Sequence, residues 1–138
     1  MNGNDFVKFA LRSPLHVFMG NTMLITVTGR KTGRRITIPV NYYLVGDELW
    51  VLSTRTRTWW RNVATGTEVN LYLHGRDIRG FAEAVLDEKT VASRIGEYVI
   101  RLPLSAKSLG VRVENGVANC EDTARLAKER LFVKICLM

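Results

Sequence analysis

The chain has 138 residues, of which 46% are hydrophobic and 24% are charged. This length and composition favour one globular domain over residues 1–138 and exclude disordered, collagen-like and low-complexity classes. Twenty Lys and Arg against thirteen Asp and Glu give a net charge of +7, so we expect an anionic partner. Because no apolar run approaches the ~18 residues of a membrane-spanning helix and the N-terminal residues do not resemble an export signal, we expect a cytoplasmic protein without a membrane span.

The first predicted element is a helical or broken helical segment over residues 5–19, which Pro14 interrupts. A β-rich region over residues 23–86 follows, with five predicted strands at 23–28, 36–45, 48–53, 68–74 and 77–86. Gly46-Asp47 and Gly75-Arg76 are the predicted turns of two hairpins. Pro39 lies inside the second strand, which predicts a bulge or an edge position where no amide is needed.

Beyond residue 86 the hydrophobic period changes from about two to about four. This change predicts an amphipathic helix over 88–102, which Asp87 caps and Pro103 ends. Residues 104–119 have no assigned structure apart from a turn at Asn115-Gly116, and we consider them a candidate lid. A helix over 121–129 and an alternating closing strand over 131–137 complete a mainly β fold, a six-stranded antiparallel barrel with peripheral helices.

The segment Thr28–Arg35 concentrates two glycines, two threonines and four cationic side chains in a turn between strands. Glycines allow a positive φ and present backbone amides to an anion, and Arg and Lys add charge-assisted contacts. The pattern is therefore typical of an anion-binding loop. A solvated hairpin tip is the equally good alternative.

A second basic segment, Ser53–Asn62, lies where the third strand ends and a short helix over 59–65 begins, with Thr58 as its predicted N-cap. Three arginines and a helix N-terminus favour an anion, and two adjacent tryptophans can stack on a flat ring. The segment therefore resembles a site for a phosphorylated aromatic ligand. The alternative is that Trp59 or Trp60 anchors the helix to the barrel core.

Residues that could catalyse a reaction by themselves are not evident. We find no catalytic triad, no metal-ligand cluster and no paired carboxylates, and the two histidines, His16 and His74, are isolated. We predict no metal site. Any chemistry therefore requires a bound cofactor.

The order of the motifs resembles the deazaflavin (F420)-dependent nitroreductase family. The motifs that carry the resemblance are Thr28-Gly29-Arg30-Lys31-Thr32-Gly33, Arg35-x-Thr37-x-Pro39-Val40, Gly46-Asp47, Leu52-Ser53 and Trp59-x-x-Asn62. The match is clearest over residues 23–86, and residues 130–137 are similar to the family's last strand. That family belongs to the flavin-binding split β-barrels related to pyridoxamine phosphate oxidase. The resemblance implies a split barrel, a cofactor groove along the strands and a homodimer.

The resemblance also implies which residues bind the cofactor. The first basic turn and the start of the next strand would hold the anionic tail or the ring edge, and Pro39 and Val40 would line the ring plane. Ser53 falls at the cofactor-binding end of its strand. The expected cofactor-binding residues are Gly29, Lys31, Thr32, Gly33, Arg35, Thr37, Pro39, Val40, Ser53, Arg57, Trp59 and Asn62. The expected cofactor is F420, with FMN as the second choice.

We therefore expect an oxidoreductase that transfers a hydride between this cofactor and an unidentified small acceptor, either quinone-like or nitro-like. No catalytic residue is assigned, because the strand register that decides whether Tyr42, Tyr43 or Tyr98 faces the groove cannot be read from the sequence. Two alternatives stay open. One is a non-catalytic carrier or sensor of a flavin, haem or similar anionic ring. The other is a nucleic-acid-binding barrel, which the charge and the adjacent tryptophans suggest but the motif order disfavours.

Overall fold

The structure, a computed structural model, describes residues 22–138. The strands are β1 (Thr22–Thr28), β2 (Arg35–Val45), β3 (Glu48–Thr54), β4 (Thr67–Leu73), β5 (Arg76–Val85), β6 (Val113–Glu114), β7 (Val117–Ala118) and β8 (Arg130–Leu137). The helices are the 3₁₀ helix Trp59–Val63, α1 (Glu88–Arg101), α2 (Pro103–Leu109) and α3 (Cys120–Glu129). The predicted helical segment over residues 5–19 and His16 lie outside the described residues.

Six strands close into a barrel in the order β1-β2-β3-β8-β5-β4, and every neighbouring pair is antiparallel. This architecture confirms the predicted fold class. The two short strands β6 and β7 form a separate hairpin outside the barrel. In residues 22–138, no helix combines the length and the hydrophobicity that crossing a bilayer requires.

The two hairpin turns follow the backbone requirements of their residues. Val45 pairs with Glu48, so Gly46-Asp47 forms the predicted turn, with Gly46 at φ +61°. The second predicted turn is wrong by one residue, because Leu73 pairs with Arg76 and the turn is His74-Gly75. Both central residues of this turn have positive φ, 52° and 75°, which the twist of a two-residue hairpin favours.

Strand β8 separates two hydrophobic cores. Leu131, Val133 and Ile135 face the barrel interior and are fully buried there. Phe132, on the opposite face, packs in a second core between the barrel wall and the helices, where its ring contacts Tyr43 at 5.8 Å. The alternating pattern of the closing strand therefore fixes which side of the barrel the helices cover.

The region after the barrel strands is more regular than predicted. Asp87 caps α1 as predicted, because its carboxylate accepts from the Thr90 amide at 3.0 Å. Residues 104–119, which were given no regular structure, contain most of α2 and the β6–β7 hairpin. The predicted turn Asn115-Gly116 joins these strands, and both of its residues have positive φ.

Candidate functional site

A groove opens in the barrel wall where β2 separates from β3. Strand β2 pairs with β1 from Arg35 to Asn41, but its pairing with β3 begins only at Tyr42. Pro39 lies in the stretch that has a partner on one side only, which confirms the predicted edge position. The cavity in this gap measures about 440 Å³, within the range of small-molecule sites.

The groove brings together five of the predicted cofactor-binding residues with residues from the C-terminal third of the chain. It is lined by Pro39, Val40, Asn41, Val51, Leu52, Ser53, Thr54, Arg57, Trp59, Tyr98, Ser105, Ser108, Leu109 and Arg130. Among the described residues, this lining combines apolar walls, several hydroxyl groups and two guanidinium groups, and it contains no carboxylate. Such a site favours a flat ligand that carries negative charge.

Ser53 and Trp59 form the buried wall of the groove. The Trp59 indole donates from Nε1 to the Ser53 hydroxyl at 3.2 Å, and the two residues are 7% and 6% exposed. Because the Ser53 oxygen accepts this bond, its own proton remains available to a ligand. Trp59 and Trp60 both belong to the barrel core, so they anchor the short helix to it. Trp59 also lines the groove.

The first basic segment forms a tight turn in which most amides are already used. Gly29 donates to the Arg34 carbonyl at 2.7 Å, and Gly33, at φ +71°, donates to the Gly29 carbonyl at 2.8 Å. The amides of Arg30 and Arg34 also have partners. Of the six amides from residue 29 to residue 34, only those of Lys31 and Thr32 remain for an anion, fewer than the glycine pattern suggests.

Asn62 connects this turn to the 3₁₀ helix beside the groove. Its Oδ1 accepts from the Arg30 amide at 3.0 Å, and its Nδ2 donates to the Trp59 carbonyl at 3.1 Å. The Asn62 side chain thus positions the whole turn relative to the groove wall. The turn contains four predicted residues, Gly29, Lys31, Thr32 and Gly33. None of these four turn residues lines the groove itself.

Arg35 and Thr37 lie apart from the groove, in a second cleft on β1, β2, β4 and β5. The cleft measures about 500 Å³, and Tyr72 and Asp77 also line it. The Thr37 hydroxyl shares a 2.7 Å hydrogen bond with the Thr26 hydroxyl of the neighbouring strand. The structure therefore does not bring these two predicted residues together with Ser53 and Trp59.

The three arginines of the second basic segment have different surroundings. Arg55 donates to the carbonyls of Arg130, Leu86 and Ala127 at 3.0, 2.8 and 3.0 Å, so it joins three elements of the fold. Arg61 stacks on the Trp60 ring at 5.1 Å. Arg57 is exposed and lines the groove, which makes it the one arginine of this segment that faces the cavity.

The short helix of this segment also differs from the prediction. It is a 3₁₀ helix over Trp59–Val63, and the Thr58 side chain makes no capping hydrogen bond. Thr58 has helical backbone angles rather than the extended conformation of a capping residue. Its predicted capping role is therefore wrong.

Of the three candidate tyrosines, Tyr98 alone lines the groove. Tyr42 faces the barrel core, and Tyr43 packs under α1, where its hydroxyl donates to the Arg94 carbonyl at 3.4 Å. The Tyr98 ring meets the Tyr43 ring edge-on at 5.3 Å. Burial raises the pKa of Tyr98, so its hydroxyl is protonated at neutral pH and can donate a proton or a hydrogen bond.

Sequence reasoning missed the residues that α2 and β8 add to the groove. Ser105, Ser108 and Leu109 come from α2, and Arg130 begins β8. The signal for α2 is Pro103 at its first position and Gly110 after its last, a combination that favours a short helix. Arg130 carries no local pattern that distinguishes it from a surface arginine.

An ion pair fixes the segment that follows α2. The Arg112 amide and Nε donate to Oδ2 of Asp122 at 2.9 and 3.0 Å. The Asp122 side chain is only 4% exposed, and hydrogen bonding from Arg112 lowers its pKa to about 2. Asp122 belongs to α3, so this pair connects α2 and the β6–β7 hairpin to the helix beside the barrel.

The chain is similar to known proteins in sequence and in fold. The family model for F420H(2)-dependent quinone reductase matches residues 12–97, more than half of the chain. The matched range contains the β2 and β3 wall of the groove but ends one residue before Tyr98. None of the curated proteins matches the chain.

Solved structures share the fold at low sequence identity. The general stress FMN/FAD binding protein from Xanthomonas citri has a TM-score of 0.55 at 15% identity, over 97% of this chain and 82% of that one. An F420 reductase has a TM-score of 0.52 at 14% identity, over 100% and 95%. The flavocytochrome Anf3 from Azotobacter vinelandii has a TM-score of 0.57 at 11% identity, and the match covers 86% of this chain but only 58% of that one. These similarities show that the chain shares the barrel fold of these proteins.

Proposed function

Because the chain belongs to the F420H(2)-dependent quinone reductase family, we propose that it is an oxidoreductase that transfers a hydride from reduced F420 to a quinone-like or nitro-like acceptor. FMN is the alternative cofactor. The observation that carries the proposal is the groove between β2 and β3, which Pro39, Val40, Ser53, Arg57 and Trp59 line together. These five residues belong to the set that the family resemblance implies.

The groove residues fit a deazaflavin. Pro39 and Val40 offer an apolar wall to a flat ring, and the buried Ser53 hydroxyl has a proton to donate to a ring carbonyl. The exposed Lys31 and the free amides of Lys31 and Thr32 would hold the anionic tail. Arg35 and Thr37 are included among the cofactor-binding residues because of the family resemblance alone.

The reduced deazaflavin supplies a hydride, that is, two electrons and one proton, and a quinone needs one further proton to become a hydroquinone. Tyr98 is the residue proposed to deliver that proton, because its hydroxyl is protonated at neutral pH and it lines the groove. Ser105 and Ser108 of α2 line the same cavity. Solvent then reprotonates Tyr98.

The activity is tested by mixing the protein with F420H2 and either menadione or a nitroaromatic compound. Recovery of the absorbance and fluorescence of oxidised F420 reports turnover. We expect enzyme-dependent recovery with at least one acceptor. If F420 binds and is never reoxidised by any acceptor, the protein is a carrier rather than a reductase. If neither F420 nor FMN binds, the proposal is wrong.

Two single variants test the contacts of the basic turn and of the second cleft separately. Lys31→Ala removes a cation from the turn, and Arg35→Ala removes one from the cleft. We expect both variants to weaken F420 binding in an equilibrium titration. If Arg35→Ala alone binds F420 like the wild type, the second cleft is not part of the cofactor site.

The family resemblance implies a homodimer, and the cytoplasm is the location expected from the sequence. We propose both. Light scattering on the purified protein tests the dimer, and a mass that corresponds to a single chain contradicts it.

A further inference from the structure

We propose that Arg130 selects acceptors that carry an anionic group, an inference that rests on the proposed function. The β2 and β3 residues that line the groove lie within the family-matched range 12–97. Five lining residues lie outside that range, namely Tyr98, Ser105, Ser108, Leu109 and Arg130. These five are the positions at which we expect this chain to set its own specificity.

The backbone around Arg130 is fixed. Arg130 pairs with Thr54 at the start of β8, and its carbonyl accepts from Nε of Arg55 at 3.0 Å. Its amide donates to the Leu126 carbonyl at the end of α3. Because Leu131 faces the barrel interior, Arg130 lies on the opposite face, the one covered by the helices. The guanidinium therefore lies on the helix-covered face of the sheet, where Arg130 lines the groove beside Thr54.

Among the described residues, nothing pairs with the Arg130 guanidinium, although Arg130 is partly buried. Five other arginines of the described chain pair with carboxylates, namely Arg79, Arg94, Arg101, Arg112 and Arg125. Within residues 22–138, the Arg130 side chain forms no hydrogen bond and no ion pair. No Asp or Glu lines the groove either. A partly buried, unpaired guanidinium beside a cavity favours a carboxylate, sulfonate or phosphate on the ligand.

The neighbouring hydroxyls do not replace Arg130 as donors to an anion. The Ser105 hydroxyl donates to the Leu102 carbonyl at 2.5 Å, and the Ser108 hydroxyl donates to the Leu104 carbonyl at 3.4 Å. Their protons are therefore used within α2. Arg57, the other cation of the groove, is exposed and lies on the family-matched side. Tyr98 offers a neutral donor only, so recognition of the charge of an acceptor in this part of the groove depends on Arg130.

The test compares two naphthoquinones, neutral menadione and anionic 1,4-naphthoquinone-2-sulfonate, as acceptors for F420H2. In Arg130→Ala we expect kcat/KM for the sulfonate to fall roughly tenfold or more, and kcat/KM for menadione to change less than about twofold. Arg130→Lys should recover part of the loss, because it restores the charge without the planar fork. Lys128→Ala, which removes an exposed cation outside the groove, controls for net charge and should affect neither acceptor.

Two results would overturn the inference. An equal loss with both quinones would show that Arg130 does not recognise charge, and weaker binding of F420 itself would assign Arg130 to the cofactor. Titration of each quinone into the cofactor-free protein, followed by tryptophan fluorescence, separates this inference from the proposed function. If the wild type turns over neither quinone, the proposed function fails. A selective loss of sulfonate binding in Arg130→Ala would still support the anion site, and equal binding by both proteins would reject it.

Discussion

Oδ1 of Asn62 accepts a hydrogen bond from the Arg30 amide at 3.0 Å, across 32 residues of sequence. This bond holds the basic turn against the 3₁₀ helix that contributes Trp59 to the groove. In Asn62→Ala the Arg30 amide loses its partner and the turn is no longer fixed. We expect a loss of about 1–2 kcal/mol in the free energy of unfolding and weaker F420 binding. Urea denaturation and a fluorescence titration measure the two effects.

Thr65→Ala is the matched control, because Thr65 is exposed just beyond the same helix and, within residues 22–138, forms no hydrogen bond with the turn. It should leave both the stability and the dissociation constant at wild-type values. If Asn62→Ala lowers stability but binds F420 normally, the turn does not contribute to cofactor binding.

Arg55 and Arg57 are predicted to separate stability from ligand binding. Arg55→Ala leaves the carbonyls of Arg130, Leu86 and Ala127 without their donor, so we expect a loss of about 2–4 kcal/mol in the free energy of unfolding. Arg57→Ala removes an exposed side chain of the groove and should change stability by less than about 0.5 kcal/mol. It should instead weaken the binding of the anionic cofactor. The structure would be contradicted if Arg55→Ala weakened cofactor binding without a loss of stability and Arg57→Ala lost stability without weaker binding.

The ion pair of Asp122 with Arg112 makes stability depend on pH in the acid range. The pKa of Asp122 is about 2 in the folded protein, below the value of about 3.9 for an unfolded chain. The folded state therefore binds fewer protons, so the contribution of this carboxylate is fully present above about pH 4 and is lost as the pH falls toward 2. Asp122→Asn should be less stable at pH 6 and should lose less stability than the wild type between pH 4 and pH 2.5. Parallel pH profiles of the two proteins in urea unfolding would refute this role.

Tyr98→Phe is expected to lower kcat for quinone reduction with little change in F420 affinity, because the substitution removes the hydroxyl and keeps the ring packed against Tyr43. General acid groups increase reaction rates about 10²–10⁴-fold, so the decrease in kcat should not exceed this range. Tyr43→Phe removes a hydroxyl that bonds the Arg94 carbonyl outside the groove, so its kcat should stay at the wild-type value. A Tyr98→Phe variant with full activity would mean that solvent supplies the proton directly.

Local sequence patterns predicted most of the barrel but only part of the site. The alternation of β8, the capping carboxylate of Asp87 and the Gly46-Asp47 turn depend on neighbouring residues, and the structure confirms them. Arg55 illustrates what local patterns cannot reveal. Its three carbonyl partners lie 31 to 75 residues away, so a residue grouped with anion-binding arginines instead connects elements of the fold.

The site itself depends on which strand faces which helix. Tyr98 and Arg130 join Ser53 only because β3 pairs with β8 and α1 packs over the same wall. Arg35 and Thr37 precede Pro39 by a few residues, yet they line a different cleft because β2 pairs with β3 only beyond Asn41. These positions depend on the pairing register of strands that are far apart in the sequence. That register cannot be read from a single sequence.

A crystal structure of the protein with F420 tests the central claim most directly, because predicted cofactor-binding residues line both the groove between β2 and β3 and the cleft of Arg35 and Thr37. We predict that the deazaflavin ring lies in the groove between β2 and β3, against Pro39, Val40 and Trp59, with the Ser53 hydroxyl bonded to the ring edge. A ring bound instead in the cleft of Arg35, Thr37 and Tyr72, or no bound cofactor at saturating F420, would contradict the assignment of the site.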